Sequence, residues 1–309
     1  MSNQIQTARR KPFPWHIGVF LAPAVIIYSV VMIFPLFDSL RMSFFGPDQQ
    51  GTPFVGLDNY RTLLTDEQWA PHFGRALRNN LFFFVLHLLI QNPLGLLLAA
   101  LLDSRVLRGR SIYRTLLFAP TMLSFVIVGF VWQLILSPLW GIAPKVAPFF
   151  GIKYQAWLGL ESTALPTLSL ISVWQFVGIP MLLFTTALLS VPQELIEAAR
   201  VDGASAWRIF WRIKFPLILP TVGIVTILTF IGNFNAFDLV YTVKGALGGP
   251  NFSTDLIGTF FYRTFFGFQL QASNFAMGTT IAVMIFLIIL VGMLAYLFGW
   301  QRRVVSYEL

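Results

Sequence analysis

Apolar residues in this chain gather into six runs, at 17–37, 81–102, 115–136, 165–189, 217–240 and 275–300, and the polar and charged residues fall mostly between them. Each run is close to the roughly 20 residues a helix needs to cross the hydrocarbon of a bilayer. Backbone polar groups in lipid must be paired within the segment, so the runs read as helices. The pattern predicts an all-α integral membrane fold with six transmembrane helices in one domain, 17–300, and short tails at 1–16 and 301–309. Pro23, Pro93, Pro120 and Pro180 fall inside runs. Each removes one helical hydrogen bond and kinks its helix, which neighbouring helices must compensate. The first run follows Arg9, Arg10 and Lys11, but it is longer than a secretory apolar core and no convincing small-residue cleavage site follows, so it reads as an uncleaved span.

Composition supports this. Of 309 residues 56% are hydrophobic and 11% charged, with 32 Phe, against roughly a quarter charged in a soluble domain. The net charge of +8 does not indicate nucleic acid, because the basic residues cluster at the ends of the runs. Thirteen of the 21 Lys and Arg fall in the first tail, the second connection (Arg105, Arg108, Arg110, Arg114), the fourth (Arg200, Arg208, Arg212, Lys214) and the last tail (Arg302, Arg303). The other eight are spread over the longer first, third and fifth connections, offset by Asp48, Asp58, Asp66, Glu67, Glu161 and Asp255. Positive charge is retained inside, so both termini are expected in the cytoplasm. The absence of Cys excludes disulfides and thiolate sites, and three scattered His offer no metal constellation. There is no Gly-rich loop ending in Gly-Lys-Ser or Gly-Lys-Thr to cradle a nucleotide's phosphates. No nucleophile, base and orienter set suggests an enzyme, since Ser and His inside spans serve first as interhelical hydrogen-bonders.

The fourth connection is the most informative segment, VPQELIEAARVDGASAWRIFWRIKFPLILP over 191–220. It describes two short helices. Pro192 suits a first turn, Glu194 meets the positive end of the helix dipole, Gly203 can take the left-handed backbone that ends a helix, and Ser205 can cap the next. Ala206, Ile209, Phe210 and Ile213 follow an i, i+3, i+4, i+7 pattern away from Arg208 and Arg212. Pattern alone is equally compatible with an elbow lying in the lipid interface, anchored by Trp207 and Trp211.

The residues themselves go further. Glu197-Ala198-Ala199, then Asp202-Gly203-Ala204, Phe210, Ile213, Pro216 and Pro220 resemble the EAA loop of binding-protein-dependent ABC importer permeases. Phe54-Val55-Gly56-Leu57-Asp58-Asn59-Tyr60, Tyr113-Arg114 through Pro120, and Gly248-Gly249-Pro250 are similar to the carbohydrate-uptake branch, in the subunit type of the maltose and glycerol-phosphate permeases' first member. The resemblance implies a maltose-permease-like, type I fold in the cytoplasmic (inner) membrane. It further implies a second homologous permease subunit, two ATPase subunits and an extracytoplasmic solute-binding protein that delivers a sugar or related polyol. No cofactor is expected in this chain, with ATP and Mg on the partner ATPase. In such permeases the EAA loop is a coupling helix seated in a groove of the ATPase. By position Glu197 supplies a charge-assisted contact, Gly203 the bend, and Ala198, Ala199 and Ala204 close approach, with Asp202 beside them.

Polar groups inside a span are expensive unless they face the bundle interior or a water-filled cavity. In the fifth run Thr226, Thr229, Asn233 and Ala236 share one helical face, with Asn235 and Asp238 near the outer end. In the fourth, Trp174, Gln175 and Gly178 offer an aromatic face and an amide to a sugar. Each of these residues can equally serve helix packing alone, and Asp238 can simply be hydrated. His87, Gln91 and Asn92 carry less functional weight, since they stand beside Pro93, where repair of its kink can be their whole purpose. Two other readings compete: an ion-coupled secondary transporter, which should show an ionisable pair at mid-depth and an inverted repeat, and a membrane scaffold, in which the polar stripe only packs.

Overall fold

A computed structural model describes residues 15–46, 53–103, 108–269 and 271–302. Arg9, Arg10, Lys11, Asp48, Arg105, Arg303 and most of both tails lie outside the described residues. Those described form helices and connecting turns with no strand. Four helices are long and apolar enough to span a bilayer: Ile17–Met42, Ala70–Asp103, Ala206–Lys244 and Phe275–Gln301. Two more spans are broken, Arg110–Met122 with Phe125–Ile135, bent by 97°, and Glu161–Phe176 with Gly178–Leu189, bent by 43°. Counting each bent pair once gives the expected six.

The prolines explain much of this bending. Three π-helical turns, Ser29–Ile33, His87–Gln91 and Phe210–Lys214, each end two residues before a proline (Pro35, Pro93 and Pro216). Proline lacks the N–H and crowds the carbonyl four residues back, and a widened turn absorbs both defects without ending the helix. Pro120 instead lies in a tight 3-10 turn, Ala119–Met122, just before the sharp bend. The 115–136 run is therefore two helices at nearly a right angle rather than one straight span. The elbow also differs from expectation. Its second helix, Ala206–Ile209, continues through the π turn into Phe215–Phe234, so it is the foot of the fifth span and not a separate element.

Hydrogen bonds and ion pairs sort the connections into two ends. At one end Lys214 pairs with Asp103, joining the fourth connection to the second. At the other, Arg75 Nη1 donates to the Asn251 carbonyl at 2.8 Å, Gln133 Nε2 to that of Val243 at 2.8 Å, and Lys244 Nζ to that of Leu158, which brings together the first, third and fifth connections. The 54–60 motif has a local purpose there. Asn59 Nδ2 donates to the Ser43 and Phe45 carbonyls at 2.8 and 2.7 Å, and the Tyr60 and Ser43 hydroxyls are 2.6 Å apart, which folds the connection back onto the first span.

Three apolar clusters hold the bundle. Two lie toward the Arg75 end, around Phe83, Leu168 and Val240 and around Phe73, Phe234 and Ile281. The third lies toward the Lys214 end and joins Phe184, Leu188 and Ile218 to Ile196 and Ile209 of the elbow. At Gly95 an added Cβ would sit 2.9 Å from Pro180 Cβ, so the second and fourth spans cross at a separation that glycine permits. Residues Phe83, Leu239 and Val240 of one cluster and Val225 of another face a space between them.

Candidate functional site

The first candidate site is the elbow. Gln193–Val201 is helical, with Pro192 at its N-cap rather than inside its first turn. It ends as the sequence predicts. Gly203 has φ +76°, the Ala204 N–H donates to the Ala199 carbonyl at 2.9 Å and the Gly203 N–H to that of Arg200 at 3.0 Å, which is a Schellman stop. The Ser205 hydroxyl accepts from the Arg208 N–H at 3.3 Å and starts the next helix. Ile196 is buried, and Ala199 and Ala204 are half-buried against the same apolar cluster. The opposite face carries Glu194, Glu197, Ala198 and Val201, at i, i+3, i+4 and i+7, with Asp202 and Gly203 beside it, all exposed. Gln193 Nε2 donates to Glu197 Oε1 at 3.0 Å and holds that carboxylate on the surface. Val201, 88% exposed, is the residue the sequence did not single out. The signal was available, as an aliphatic residue four positions after Glu197 on the face turned away from Ile196.

The second is a cavity of about 410 Å³ between the second, third, fourth and fifth spans, within the roughly 300–1,000 Å³ of ligand pockets. Thr229, Asn233, Asn235, Ala236 and Asp238 line it, and so do His87, Gln91 and Ser172. Phe83, Phe125, Phe176 and Phe237 form apolar walls. Asn233 is buried. Its Nδ2 donates to the Thr229 carbonyl at 2.7 Å and its own carbonyl accepts from Asn80 Nδ2 at 2.9 Å, while its Oδ1 has no partner. Gln91 Oε1 is likewise buried and unpartnered. The Thr229 hydroxyl lies 2.8 Å from the Val225 carbonyl and 3.1 Å from Asn92 Oδ1. His87 bridges two elements, with Nδ1 2.7 Å from the Phe83 carbonyl and Nε2 2.9 Å from Ser172 Oγ.

Not every sequence expectation meets at this cavity. Thr226 donates back to the Val222 carbonyl at 2.8 Å and does not line it. Trp174 is 43% exposed and meets Trp132 edge-on at 5.5 Å, outside the cavity. Gln175 is buried and donates to the Leu123 carbonyl at 3.1 Å. Gly178 lies where a Cβ would come within 2.8 Å of Phe118 Cα, so its smallness admits the third span at its break. The fourth span thus gives Ser172, Phe176, Ile179 and Pro180 to the cavity instead, because the break after Phe176 and the bend of the third span decide which face looks inward. Among the described residues the ion pairs Lys214–Asp103 and Arg263–Asp255 lie at a helix end and in the fifth connection, and Arg41–Asp38 at the end of the first span, away from the mid-depth where an ion-coupled transporter needs its relay.

Comparison with known proteins matches residues 91–303 to the family described as binding-protein-dependent transport system inner membrane component. The chain is 31% identical to the osmoprotective compounds uptake permease protein of Synechocystis sp., over 88% of this chain and 94% of that protein. It is 30% identical to the multiple sugar-binding transport system permease protein of Streptococcus mutans, over 87% and 90%. Among solved structures it is similar to a bacterial alginate ABC transporter in complex with an alginate pentasaccharide-bound periplasmic protein, at 26% identity and TM-score 0.78 over 91% of this chain and 92% of that one. Six apolar spans, the exposed Glu-Ala-Ala elbow and these likenesses agree, and the chain belongs to the binding-protein-dependent transport system inner membrane components, as a helical permease subunit of an ABC importer and not an enzyme.

Proposed function

We propose that this subunit and a second, homologous permease enclose the path of a sugar or related polyol handed over by an extracytoplasmic solute-binding protein. Two partner ATPases bind ATP and Mg and drive alternating access. The observation that carries this reading is the cavity, where buried amides with free hydrogen-bonding capacity face four Phe rings. Such walls suit the apolar faces of sugar rings, and such amides suit hydroxyls. The names of the relatives support the same solute class.

The elbow transmits the ATPase cycle. Its exposed face of Glu194, Glu197, Ala198 and Val201 seats in a groove of the ATPase, while Ile196 and Ile209 tie it to the ends of the second, fourth and fifth spans. In this reading the second and fourth connections and both termini are cytoplasmic, which the charge asymmetry supports. Reporter fusions at Pro71 and Leu309 test the sidedness, and a cytoplasmic Pro71 with an external Leu309 overturns it.

The function is tested on the complete complex reconstituted in vesicles with its binding protein. Asn233→Leu is expected to lower uptake severalfold with the same amount of assembled complex, since a hydrogen bond to substrate contributes about 0.5–1.5 kcal/mol. Wild-type uptake by that variant, or a loss fully explained by lost assembly, would make Asn233 a packing residue.

A further inference from the structure

The two buried side-chain atoms that line the cavity without any hydrogen-bond partner are both amide oxygens. Asn233 Nδ2 is committed to the Thr229 carbonyl, which can only accept, so the amide cannot be turned round and its buried Oδ1 is an acceptor without a donor. Gln91 Oε1 is a second buried oxygen without a donor, on an amide whose Nε2 makes no bond of its own. Asn235 Nδ2 gives one of its two protons to the Ile231 carbonyl at 2.9 Å, which leaves its second proton and its Oδ1. The hydroxyl proton of Thr229 goes to Val225 or Asn92, which leaves its oxygen lone pairs. The Phe83 carbonyl fixes the proton of a neutral His87 ring on Nδ1, so Nε2 takes the Ser172 proton and the serine too is left as an acceptor. Asp238, exposed at one end, adds a carboxylate. Among the described residues lining the cavity there is no Lys or Arg.

We propose that this cavity selects a neutral, hydroxyl-rich solute and rejects saccharides bearing carboxylate or phosphate, an inference that rests on the sugar reading above and narrows it. Hydroxyls can donate to Asn233 Oδ1 and Gln91 Oε1. Carboxylates and phosphates bring negative charge beside Asp238, with no cation in the described wall to offset their desolvation. An ammonium group finds acceptors in the deep part of the cavity, at His87, Gln91 and Asn233, but no carboxylate there, so neutral dipoles alone offset the loss of its hydration. A site with unpaired acceptors discriminates strongly, because a ligand that leaves them unpaired forfeits bonds already lost to water.

The test uses the assembled complex, purified without the binding protein so that selectivity upstream does not intervene. Binding is read as thermal stabilisation by lactose, raffinose and myo-inositol as neutral probes, digalacturonate and glucose 6-phosphate as anionic ones, and glucosamine as the cationic one. We expect at least one neutral probe to bind tenfold or more tightly than either anion or the amine, and Asp238→Asn to narrow its advantage over digalacturonate severalfold. Tighter binding of an anionic or cationic probe, or an unchanged gap in Asp238→Asn, overturns the selectivity while leaving a saccharide path intact. Binding of none of the six overturns the sugar reading, and the selectivity with it.

Discussion

The elbow at one end of the bundle and the fifth connection at the other both reverse the chain between spans, yet they are held by opposite means. The elbow is shaped by bonds among near neighbours, from Ala204 to Ala199, Gly203 to Arg200 and Arg208 to Ser205, and its outer face is bare. The fifth connection is shaped by distant partners. Asn79 Nδ2 donates to the Asp255 carbonyl at 2.8 Å, Asn80 Oδ1 accepts from the Ile257 N–H at 2.7 Å, and Arg75 reaches the Asn251 carbonyl. Inside it Arg263 makes two bonds of 2.6 Å to the Asp255 carboxylate, donates to the Ala246 carbonyl at 3.2 Å, and has its guanidinium carbon 4.8 Å from the Phe260 ring centre. The motif glycine Gly248, at φ +56°, lies where a Cβ would be 2.5 Å from Asp255 Cα. A turn whose bend is set by near neighbours can present a bare outer face to a partner while its inner face, at Ile196 and Ile209, fastens it to the bundle. A turn fixed by long-range bonds makes that end of the second span, the short helix Ile257–Phe266 and the foot of the sixth span into one block.

The comparison breaks most readily at the buried ion pair. Arg263→Ala or Asp255→Ala leaves an uncompensated charge in a site where both side chains are at most 3% exposed, a loss of about 3–5 kcal/mol. We expect either variant to lower the yield of assembled complex sharply and to depress its thermal midpoint. The double variant Asp255→Leu with Arg263→Met should recover much of both, because a well-packed apolar pair is often no less stable than a buried ion pair. If a single variant is as stable as wild type, the block is not held by this pair.

The elbow should behave otherwise. Gly203→Ala forces an L side chain into the left-handed region at about 1–2 kcal/mol, and nothing lies within 4 Å of the added Cβ, so the expected damage is conformational and local. Glu197→Lys lies on the exposed face and should change stability by no more than about 0.5 kcal/mol. Both are expected to lower the ATPase stimulation produced by loaded binding protein in vesicles, Glu197→Lys to near the unstimulated rate, with the complex still assembled. Full stimulation in both would remove the coupling role from the elbow.

How far each region could be read from the sequence follows the same division. Run length reveals the spans, and Gly203 and Ser205 reveal the elbow, because each signal lies within a few residues of what it controls. The stripe of Thr229, Asn233 and Ala236 was legible from helical periodicity, as the fifth span is unbroken there. His87 and Gln91 stand four apart in an apolar run, enough to place them on one face, but beside Pro93 the same residues also fit the repair of a kink. The π turn His87–Gln91 relieves that proline, and both side chains line the cavity. Asp255 and Arg263 carry no local sign of their role in the sequence, and nothing nearby indicates that Asp255 meets Asn79, 176 residues away.

The smallest effect is expected at Trp174, and it separates local reading from structure most directly. Beside Gln175 and Gly178 its ring looks suited to a sugar, and a contact of that kind would make Trp174→Leu lower uptake as strongly as Asn233→Leu. In the fold the indole meets Trp132 edge-on and is not among the residues that line the cavity with Phe125 and Phe176. Loss of one such aromatic pair removes about 0.5–1.5 kcal/mol beyond the area it buries. Trp174→Leu should therefore lower the thermal midpoint of the complex slightly and leave uptake at saturating loaded binding protein near wild type. Uptake reduced severalfold at unchanged assembly would return Trp174 to the path and mean that the wall seen by the solute lies on the other side of the fourth span.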